Sequence, residues 1–385
     1  EIKINSKTTF QTIHNFGASD AWSCQFVGNW PDKQKNKVAD LLFSLDENED
    51  GSPKGIGLSC WRFNIGGGSA DQTTETKIGD RWRQSECFLQ ADGSYNWEKQ
   101  SGQRWFLKAA QKRGVESFLG FVNSPPVWLT KNGRANSDGG NSVNLPEENF
   151  SKYSQFLVDV TKNIALKDGV LFDYISPINE PQWDWEGGQE GTPWTNTEMA
   201  KFCRIFGDDI SKAGLSSKIS MAEAGFLTHL FERGNDSKRG FQIKQFFSPE
   251  SENYIGDVPN MAHKISGHSY HTVKSDSIMN LIRGKLHDEF QRVDPTLDFW
   301  MSEYCILGGN GILKGGGRDL GMETALFVAN IIHADLAVAN ASAWQWWIAV
   351  SKYNFKDGLV YIDEKSHEIY ESKLLWALGN YSRFI

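Results

Sequence analysis

The sequence predicts an α/β protein whose single large domain is a (β/α)8 TIM barrel. Strand-like apolar runs alternate with amphipathic helical patterns along all 385 residues, and eight such units are the number that closes this barrel. A doubly wound parallel sheet is the alternative. That fold binds phosphates through a Gly-x-Gly-x-x-Gly turn, and Gly66-Gly67-Gly68 does not continue into one. The barrel is therefore the better prediction.

The predicted strands are short runs rich in β-branched and aromatic residues, bounded by turn residues. They cover residues 14–19, 58–65, 116–123, 172–178, 218–223, 264–270, 297–302 and 343–347. Because each is followed by a helical pattern, we expect all eight strands to be parallel.

The predicted helices show apolar residues on one face. The helices at 101–113 and 197–213 end before Gly114 and Gly214, which suit the left-handed position after a helix. The others are predicted at residues 32–45, 147–166, 240–247, 275–293, 322–339 and 368–383.

Composition excludes several classes of function. A hydrophobic fraction of 39% and a charged fraction of 23% are typical of a soluble globular protein. The net charge of −8, without a basic block, argues against a nucleic-acid partner. No apolar run reaches the roughly 18 residues of a membrane span. The five cysteines form no zinc-binding spacing, so we expect no metal and no cofactor.

The first residue is Glu1 rather than methionine. We therefore expect that a signal peptide has been removed and that the protein is secreted, either extracellular or periplasmic. We also expect a monomer.

Two glutamates at strand ends carry most of the functional information. Glu180 follows the fourth strand in Asn179-Glu180-Pro181, and Glu303 ends the seventh in Ser302-Glu303-Tyr304. A buried carboxylate is costly unless it is used, and two carboxylates facing one cleft are what hydrolysis of a glycosidic bond requires. Because proline disfavours the helical region for the preceding residue, we expect an extended backbone at Glu180.

The remaining strand ends converge on the same face of the barrel and combine amides, charges and aromatic rings. They are Asp20, Trp22, Arg62, Asn64, Asn123, Trp128, Glu223, His268, Tyr270, Gln345, Trp346 and Trp347, with Trp183, Trp185 and Trp194 in the loop after the fourth strand. Sugars need this mixture, because hydroxyls bind polar groups and the C–H faces of the rings stack on aromatics.

Four residues at or near the strand ends also have simpler explanations. Glu223 is expected to make a salt bridge or a helix cap rather than to act in catalysis. His268 and His271 are three apart on a strand and point to opposite faces, so they are not a metal pair; we expect His268 in the core or hydrogen-bonded. Cys305 has no basic partner in the sequence and is expected to be a packing thiol.

Several motifs, in order, carry a resemblance to glycoside hydrolase family 30 of clan A. They are Asn15-Phe-Gly-Ala-Ser-Asp-Ala-Trp22, Arg62-Phe-Asn-Ile-Gly-Gly67, Asn123-Ser-Pro-Pro-Val-Trp-Leu-Thr-Lys-Asn132, Asn179-Glu180-Pro181, Gly267-His-Ser-Tyr270, Ser302-Glu303-Tyr304 and Ala343-Trp-Gln-Trp-Trp347. The resemblance covers nearly the whole chain. It implies a retaining mechanism with Glu180 as acid/base and Glu303 as nucleophile.

The same resemblance implies roles for the substrate-binding residues. Asn179 binds the hydroxyl next to the reacting carbon, and Arg62 and Tyr270 orient the nucleophile. The resemblance further implies that Asp20, Trp128 and Trp347 shape the pocket for the sugar at the cleavage site. Trp183, in the loop after the fourth strand, is expected to line positions beyond the cleavage point.

Family 30 proteins usually carry a side β-sandwich made of N-terminal strands and a C-terminal segment. Residues 1–14 resemble those first strands, through the alternation within 2–13, and residues 15–385 form the barrel. We therefore expect most of the sandwich to be missing from this chain.

The motif after the third strand resembles the endo-β-1,6-galactanases more than the glucosylceramidases. The expected substrate is a β-linked galactan, with a glucuronoxylanase or a β-1,6-glucanase as alternatives. A catalytically inactive carbohydrate-binding relative is the alternative of another class, which the presence of both glutamates disfavours.

Overall fold

The computed structural model describes residues 5, 7–140, 142–307 and 312–385. Eight parallel strands close into a barrel, because β1 pairs in parallel with both β2 and β8. The strands are β1 (Asn15–Ser19), β2 (Cys60–Asn64), β3 (Ser117–Phe121), β4 (Tyr174–Ser176), β5 (Lys218–Ala224), β6 (Met261–His268), β7 (Asp298–Glu303) and β8 (Ala343–Ser351). The predicted (β/α)8 barrel is confirmed, with every predicted strand in place.

Helices pack around the barrel. They are α1 (Cys24–Val27), α2 (Asp32–Phe43), α3 (Ser101–Lys112), α4 (Phe150–Asp168), α5 (Asn196–Lys212), α6 (Thr228–Phe231), α7 (Gln242–Phe247), α8 (Asp276–Val293), α9 (Met322–Ala337) and α10 (Lys373–Ser382), with 3-10 turns at Arg81–Arg83, Val127–Leu129 and Glu147–Asn149. Across the described ranges, none of these helices has the length and apolar character needed to cross a bilayer.

Large side chains make up the core, both within the barrel and between its strands and the helices. All nine residues of β8 are buried, and the most buried tryptophans include Trp61, Trp300, Trp344 and Trp346. Trp194 is also buried and packs on Phe150 and Phe202. It is therefore a core residue, and the expectation that it forms a sugar platform is wrong.

The chain after β8 differs from the prediction. β8 continues to Ser351, and two further strands follow, β9 (Gly358–Ile362) and β10 (Ile369–Glu371). β9 pairs in parallel with the end of β8, and β10 pairs antiparallel with β9. The predicted helix at 368–383 therefore begins only at Lys373, where the hydroxyl of Ser372 accepts a hydrogen bond from the Leu375 amide and caps it.

The N-terminal strands predicted for residues 1–14 fall partly outside the described residues, which exclude 1–4 and 6. Residues 5 and 7–14 form no strand. Gln11 instead donates hydrogen bonds to the carbonyls of Leu336 and Ala341, between α9 and β8. The partner strands of the predicted sandwich would lie beyond residue 385, so the side domain stays a prediction.

Candidate active site

A cavity of about 700 Å³ opens among the loops that follow the strands. Glu180, Glu303, Tyr270, Trp183 and Trp347 all line it. The C-terminal ends of the strands are where barrels of this type carry their functional groups. Both predicted catalytic glutamates therefore face one cavity at the expected end of the barrel.

Glu303, the last residue of β7, is held by two donors. Arg62 Nη1 lies 3.2 Å from Glu303 Oε2, and the Tyr270 hydroxyl lies 3.1 Å from Oε1. The guanidinium also stacks over the Phe121 ring at 4.5 Å. Because one carboxylate oxygen accepts from a guanidinium and the other from a phenol, the orientation of the Glu303 side chain is fixed.

Glu180 faces Glu303 across a short gap. One carboxylate oxygen of Glu180 and one of Glu303 lie within 4.8 Å of each other. Glu180 Oε1 lies 2.8 Å from His268 Nδ1. Burial raises the pKa of Glu180 above its ordinary value, although the hydrogen bond and charge of His268 oppose the rise. A raised pKa is what a group needs to donate a proton near neutral pH.

The backbone at Glu180 is not extended, so that expectation is wrong. Its φ is 42°, in the left-handed region. Neighbouring contacts outweigh the local preference set by Pro181: the Glu180 amide donates to the carbonyl of Glu223 at 2.9 Å, and the Glu180 carbonyl accepts from the Trp183 amide and the Trp185 indole. The turn points the carboxyl group into the cavity.

A third buried glutamate completes the charged cluster. Glu223 Oε2 lies 3.1 Å from His268 Nε2 and 3.6 Å from Arg62 Nη2, so His268 bridges Glu180 and Glu223. Burial alone would raise the pKa of Glu223, but His268, Arg62 and Lys264 lower it to about 2. The expected salt bridge of Glu223 is confirmed.

His268 lies at the centre of this network of hydrogen bonds. Burial alone would lower its pKa, but Glu303, Glu180 and Glu223 raise it to about 10, which makes it an imidazolium at neutral pH. His268 was expected to be a core or hydrogen-bonded residue, and it is both. His271, in contrast, lies past the end of β6 with a φ of 58° and lines the cavity, so the argument from strand alternation does not apply to it.

Polar groups beneath the cluster hold Glu223 in place. The Ser302 hydroxyl donates to Glu223 Oε2 at 2.6 Å. Lys264 Nζ donates to the hydroxyls of Ser220 and Ser266 and lies 4.0 Å from the centre of the Trp300 ring. Sequence patterns did not single out Lys264, because a lysine inside a strand gives no local sign that it is buried.

Glu180, His268 and Glu303 have the spacing of metal ligands, with candidate atoms within 4.8 Å of one another. A metal requires a neutral imidazole. Both ring nitrogens of His268 already lie within hydrogen-bond distance of carboxylates, Nδ1 at 2.8 Å from Glu180 Oε1 and Nε2 at 3.1 Å from Glu223 Oε2. Arg62 adds a second positive charge 3.2 Å from Glu303. These residues fit a hydrogen-bonded acid–base site rather than a metal centre.

Two further residues predicted to bind the substrate, Asp20 and Asn179, are buried. Asp20 is fully buried beneath the cavity and accepts from the Asn64 amide at 2.8 Å and from Gln103 at 3.2 Å; burial raises its pKa to about 7. Asn179 is 3% exposed, and its Oδ1 has no hydrogen-bond partner among the described residues. An unpaired buried carbonyl oxygen is a site that a substrate hydroxyl can satisfy.

Trp128 is not brought into the cavity. It lies in the 3-10 turn Val127–Leu129, and its indole nitrogen donates to the carbonyl of Leu89 at 3.0 Å. The expectation that Trp128 shapes the pocket is therefore not met. The wall is formed instead by Trp347, whose ring meets Trp22 edge-on at 5.3 Å, and by Trp183, which lies 6.1 Å from His271.

The arrangement combines a carboxylate fixed by two donors, a facing carboxyl with a raised pKa and aromatic walls. Known proteins share sequence and fold with this chain. Residues 1–361 match the family model described as O-Glycosyl hydrolase family 30. An endo-β-1,6-galactanase from Hypocrea rufa is 26% identical over 240 residues, which are 58% of this chain and 49% of the galactanase. This chain thus spans about half the length of that curated relative.

Two solved structures are similar over nearly the whole chain. A conserved exported protein from Bacteroides fragilis is 36% identical with a TM-score of 0.91, covering 99% of this chain and 80% of that one. The catalytic domain of GH30 xylanase C from Talaromyces cellulolyticus is 21% identical with a TM-score of 0.69, covering 99% and 78%, a likeness that concerns the fold alone. Because the family model spans most of its residues, this chain belongs to O-glycosyl hydrolase family 30.

Proposed function

We propose that this protein is a retaining β-glycosidase, with Glu303 as nucleophile and Glu180 as acid/base. The observation that carries the proposal is the separation of the two carboxyl groups, which have oxygens within 4.8 Å of each other. Retaining enzymes hold these groups about 5–5.5 Å apart, whereas inverting enzymes need about 6.5–9.5 Å to admit a water.

In the first step, Glu303 attacks the anomeric carbon and forms a glycosyl ester, while Glu180 gives its proton to the departing oxygen. In the second step, the ionised Glu180 takes a proton from water, and the resulting oxygen attacks the same carbon and releases Glu303. The unpaired Oδ1 of Asn179 would accept a hydrogen bond from the hydroxyl next to that carbon.

We propose a β-linked galactan as the substrate, most specifically β-1,6-galactan cleaved within the chain. The motif Asn123-Ser-Pro-Pro-Val-Trp128 and the relationship to the galactanase of Hypocrea rufa support this choice. A cavity of about 700 Å³ accommodates more than the single ring at the cleavage point. Export from the cell is proposed from the exported relative in Bacteroides fragilis, since galactan is an extracellular polymer too large to enter a cell.

The substrate is tested by comparing initial rates on β-1,6-galactan, β-1,4-xylan, glucuronoxylan and β-1,6-glucan under one condition, with product lengths determined. We expect galactan to be cleaved fastest, because a buried polar site that reads one hydroxyl rejects the wrong epimer strongly. Faster cleavage of xylan or glucan would refute the assignment as a galactanase. It would leave the assignment as a retaining glycosidase intact. A wild type that binds these polymers but cleaves none would instead support the inactive carbohydrate-binding relative.

A further inference from the structure

One sector of the cavity carries charged groups that the two-glutamate reaction does not use. Arg83, in the loop after β2, and Asp357, in the loop after β8, both line the cavity together with Tyr353 and Trp22. Because β8 pairs with β1 and β1 pairs with β2, these loops are neighbours around the mouth of the barrel. Arg83, Asp357, Tyr353 and Trp22 together form the Arg83–Asp357 sector.

Arg83 lies near two aromatic rings and forms no ion pair with the described residues. Its guanidinium carbon lies 5.2 Å from the centre of the Trp22 ring and 5.4 Å from that of Tyr353. Within the described parts of the chain, no carboxylate lies within 4.0 Å of its nitrogens. A guanidinium that lies over an aromatic ring can still donate hydrogen bonds in its own plane. Arg83 therefore brings a guanidinium, with its five N–H donors, to the wall of the cavity.

Asp357 supplies the complementary acceptor. It is 7% exposed, and its Oδ1 is buried without a hydrogen-bond partner among the described residues. Burial raises the pKa of Asp357 to about 6, against the opposing effects of Ser351, Arg83 and Arg318, so the carboxyl is ionised at neutral pH. An unpaired buried carboxylate oxygen is costly unless a ligand satisfies it.

The two loops are joined in a way that fixes the spacing of these groups. The Tyr353 hydroxyl donates to Asp80 Oδ2 at 2.7 Å, and Asp80 also accepts from the Trp82 amide, which caps the turn that carries Arg83. The Trp346 indole donates to the carbonyl of Asp357 at 2.7 Å. The sector is therefore built before any ligand arrives, as subsites that discriminate between ligands must be.

We propose that Arg83 and Asp357 bind the hydroxyls of a neutral sugar, the residue next to the reacting one on the side that stays attached to Glu303. This rests on the proposed function. Asp357 accepts a hydrogen bond from one hydroxyl and Arg83 donates to a neighbouring oxygen. An acidic sugar would satisfy Arg83 but would be repelled by Asp357, which favours the neutral one.

The position of the sector argues for that side of the cleaved bond. Glu180 follows β4 and must contact the leaving oxygen, whereas Glu303 ends β7, which pairs with β8. The sugar bound to Glu303 therefore extends toward β8, β1 and β2. The wall runs from Trp347 to Trp22 and then to Arg83, so in this proposal the charged pair meets the ring that follows the reacting sugar.

The test compares 4-nitrophenyl β-galactoside with 4-nitrophenyl β-1,6-galactobioside, which adds one sugar on that side. In wild type the second sugar should raise kcat/KM. In Asp357→Asn and Arg83→Gln we expect the ratio of the two kcat/KM values to fall about 10- to 100-fold, the usual effect of losing a hydrogen bond to a charged group. Arg81→Gln, on the same turn as Arg83 but outside the cavity, and Asp363→Asn, beyond β9, should keep the wild-type ratio.

Three outcomes would overturn the subsite. Equal losses on both substrates would assign the pair to the reacting sugar. If both variants keep the wild-type ratio of kcat/KM values, Arg83 and Asp357 do not bind the second sugar. A loss in Arg83→Gln confined to a bioside ending in a uronic acid would make the ligand acidic. If wild type cleaves a polymer of another sugar fastest, the two aryl glycosides are prepared with that sugar instead of galactose. Failure of the galactan assignment is then seen in the wild-type rates alone, without the variants.

Discussion

At the scale of single residues, the roles of the two glutamates have separable consequences. Glu303→Ala should abolish nearly all hydrolysis, and azide should restore some turnover with an inverted product, because the small anion occupies the vacated position. Glu180→Ala should harm substrates with poor leaving groups far more than activated aryl glycosides, since only the former need a proton. Measured kcat/KM on both substrate types checks this, and equal losses would contradict Glu180 as the acid.

His268 sets the pH range in which Glu180 holds its proton. Its hydrogen bond and positive charge lower the pKa of Glu180, so His268→Gln should raise that pKa and move the alkaline limb of the kcat/KM profile to higher pH. The lost charged hydrogen bond should also lower kcat/KM about 10- to 100-fold. His271→Gln is the matched control, because His271 lines the cavity without a hydrogen bond to either glutamate among the described residues. If the alkaline limb of the His268→Gln profile stays in place or moves to lower pH, His268 does not lower the pKa of Glu180.

At the scale of elements, the run Gly66-Gly67-Gly68 after β2 is explained by close packing. A Cβ on Gly66 would lie 2.2 Å from the carbonyl of Glu86, and one on Gly67 would lie 2.8 Å from that of Ser124. The buried Glu190, from the loop after β4, accepts from the amides of Gly67 and Ser69. These glycines join two loops of the site, and the doubly wound alternative has no support.

A buried ion pair joins the helices on one side of the barrel. Asp335 of α9 accepts from Arg283 of α8 at 2.7 Å, from the Ser269 hydroxyl and from the Trp344 indole. Removing one partner leaves an uncompensated buried charge, so Asp335→Ala should lower the free energy of unfolding by about 3–5 kcal/mol.

Urea denaturation of Asp335→Ala and of a control checks this prediction. Lys285→Ala, also in α8, breaks an exposed pair with Glu232 at 3.4 Å and should cost only about 0–1 kcal/mol. Similar losses for the two variants would show that burial of the pair is unimportant.

At the scale of the whole molecule, the charged cluster makes the stability of the fold depend on pH. The pKa of His268 is about 10 in the folded protein, above its ordinary 6.5. Its contribution is fully present below pH 6.5 and is lost as pH rises through about 10. For Glu223, whose pKa falls from 4.5 to about 2, the contribution is present above pH 4.5 and is lost as pH falls through about 2.

The difference in Tm between wild type and His268→Gln should therefore be largest near pH 6.5 and shrink toward pH 10. Scanning calorimetry across that range, with His271→Gln as control, measures it. A difference that is constant with pH would mean that His268 contributes by packing rather than by charge.

The sequence by itself determined the barrel and the position of both glutamates in the cavity. Those features rest on local patterns: the period of apolar residues within each element and a carboxylate at a strand end. Only the tertiary structure decided the rest. His268 reaches Glu180 across 88 positions of the chain, and Trp128, which has a local motif in its favour, turns away toward Leu89. The hairpin of β9 and β10, Lys264 and the Arg83–Asp357 sector were likewise hidden, because contacts between distant segments follow from packing, which no local pattern encodes.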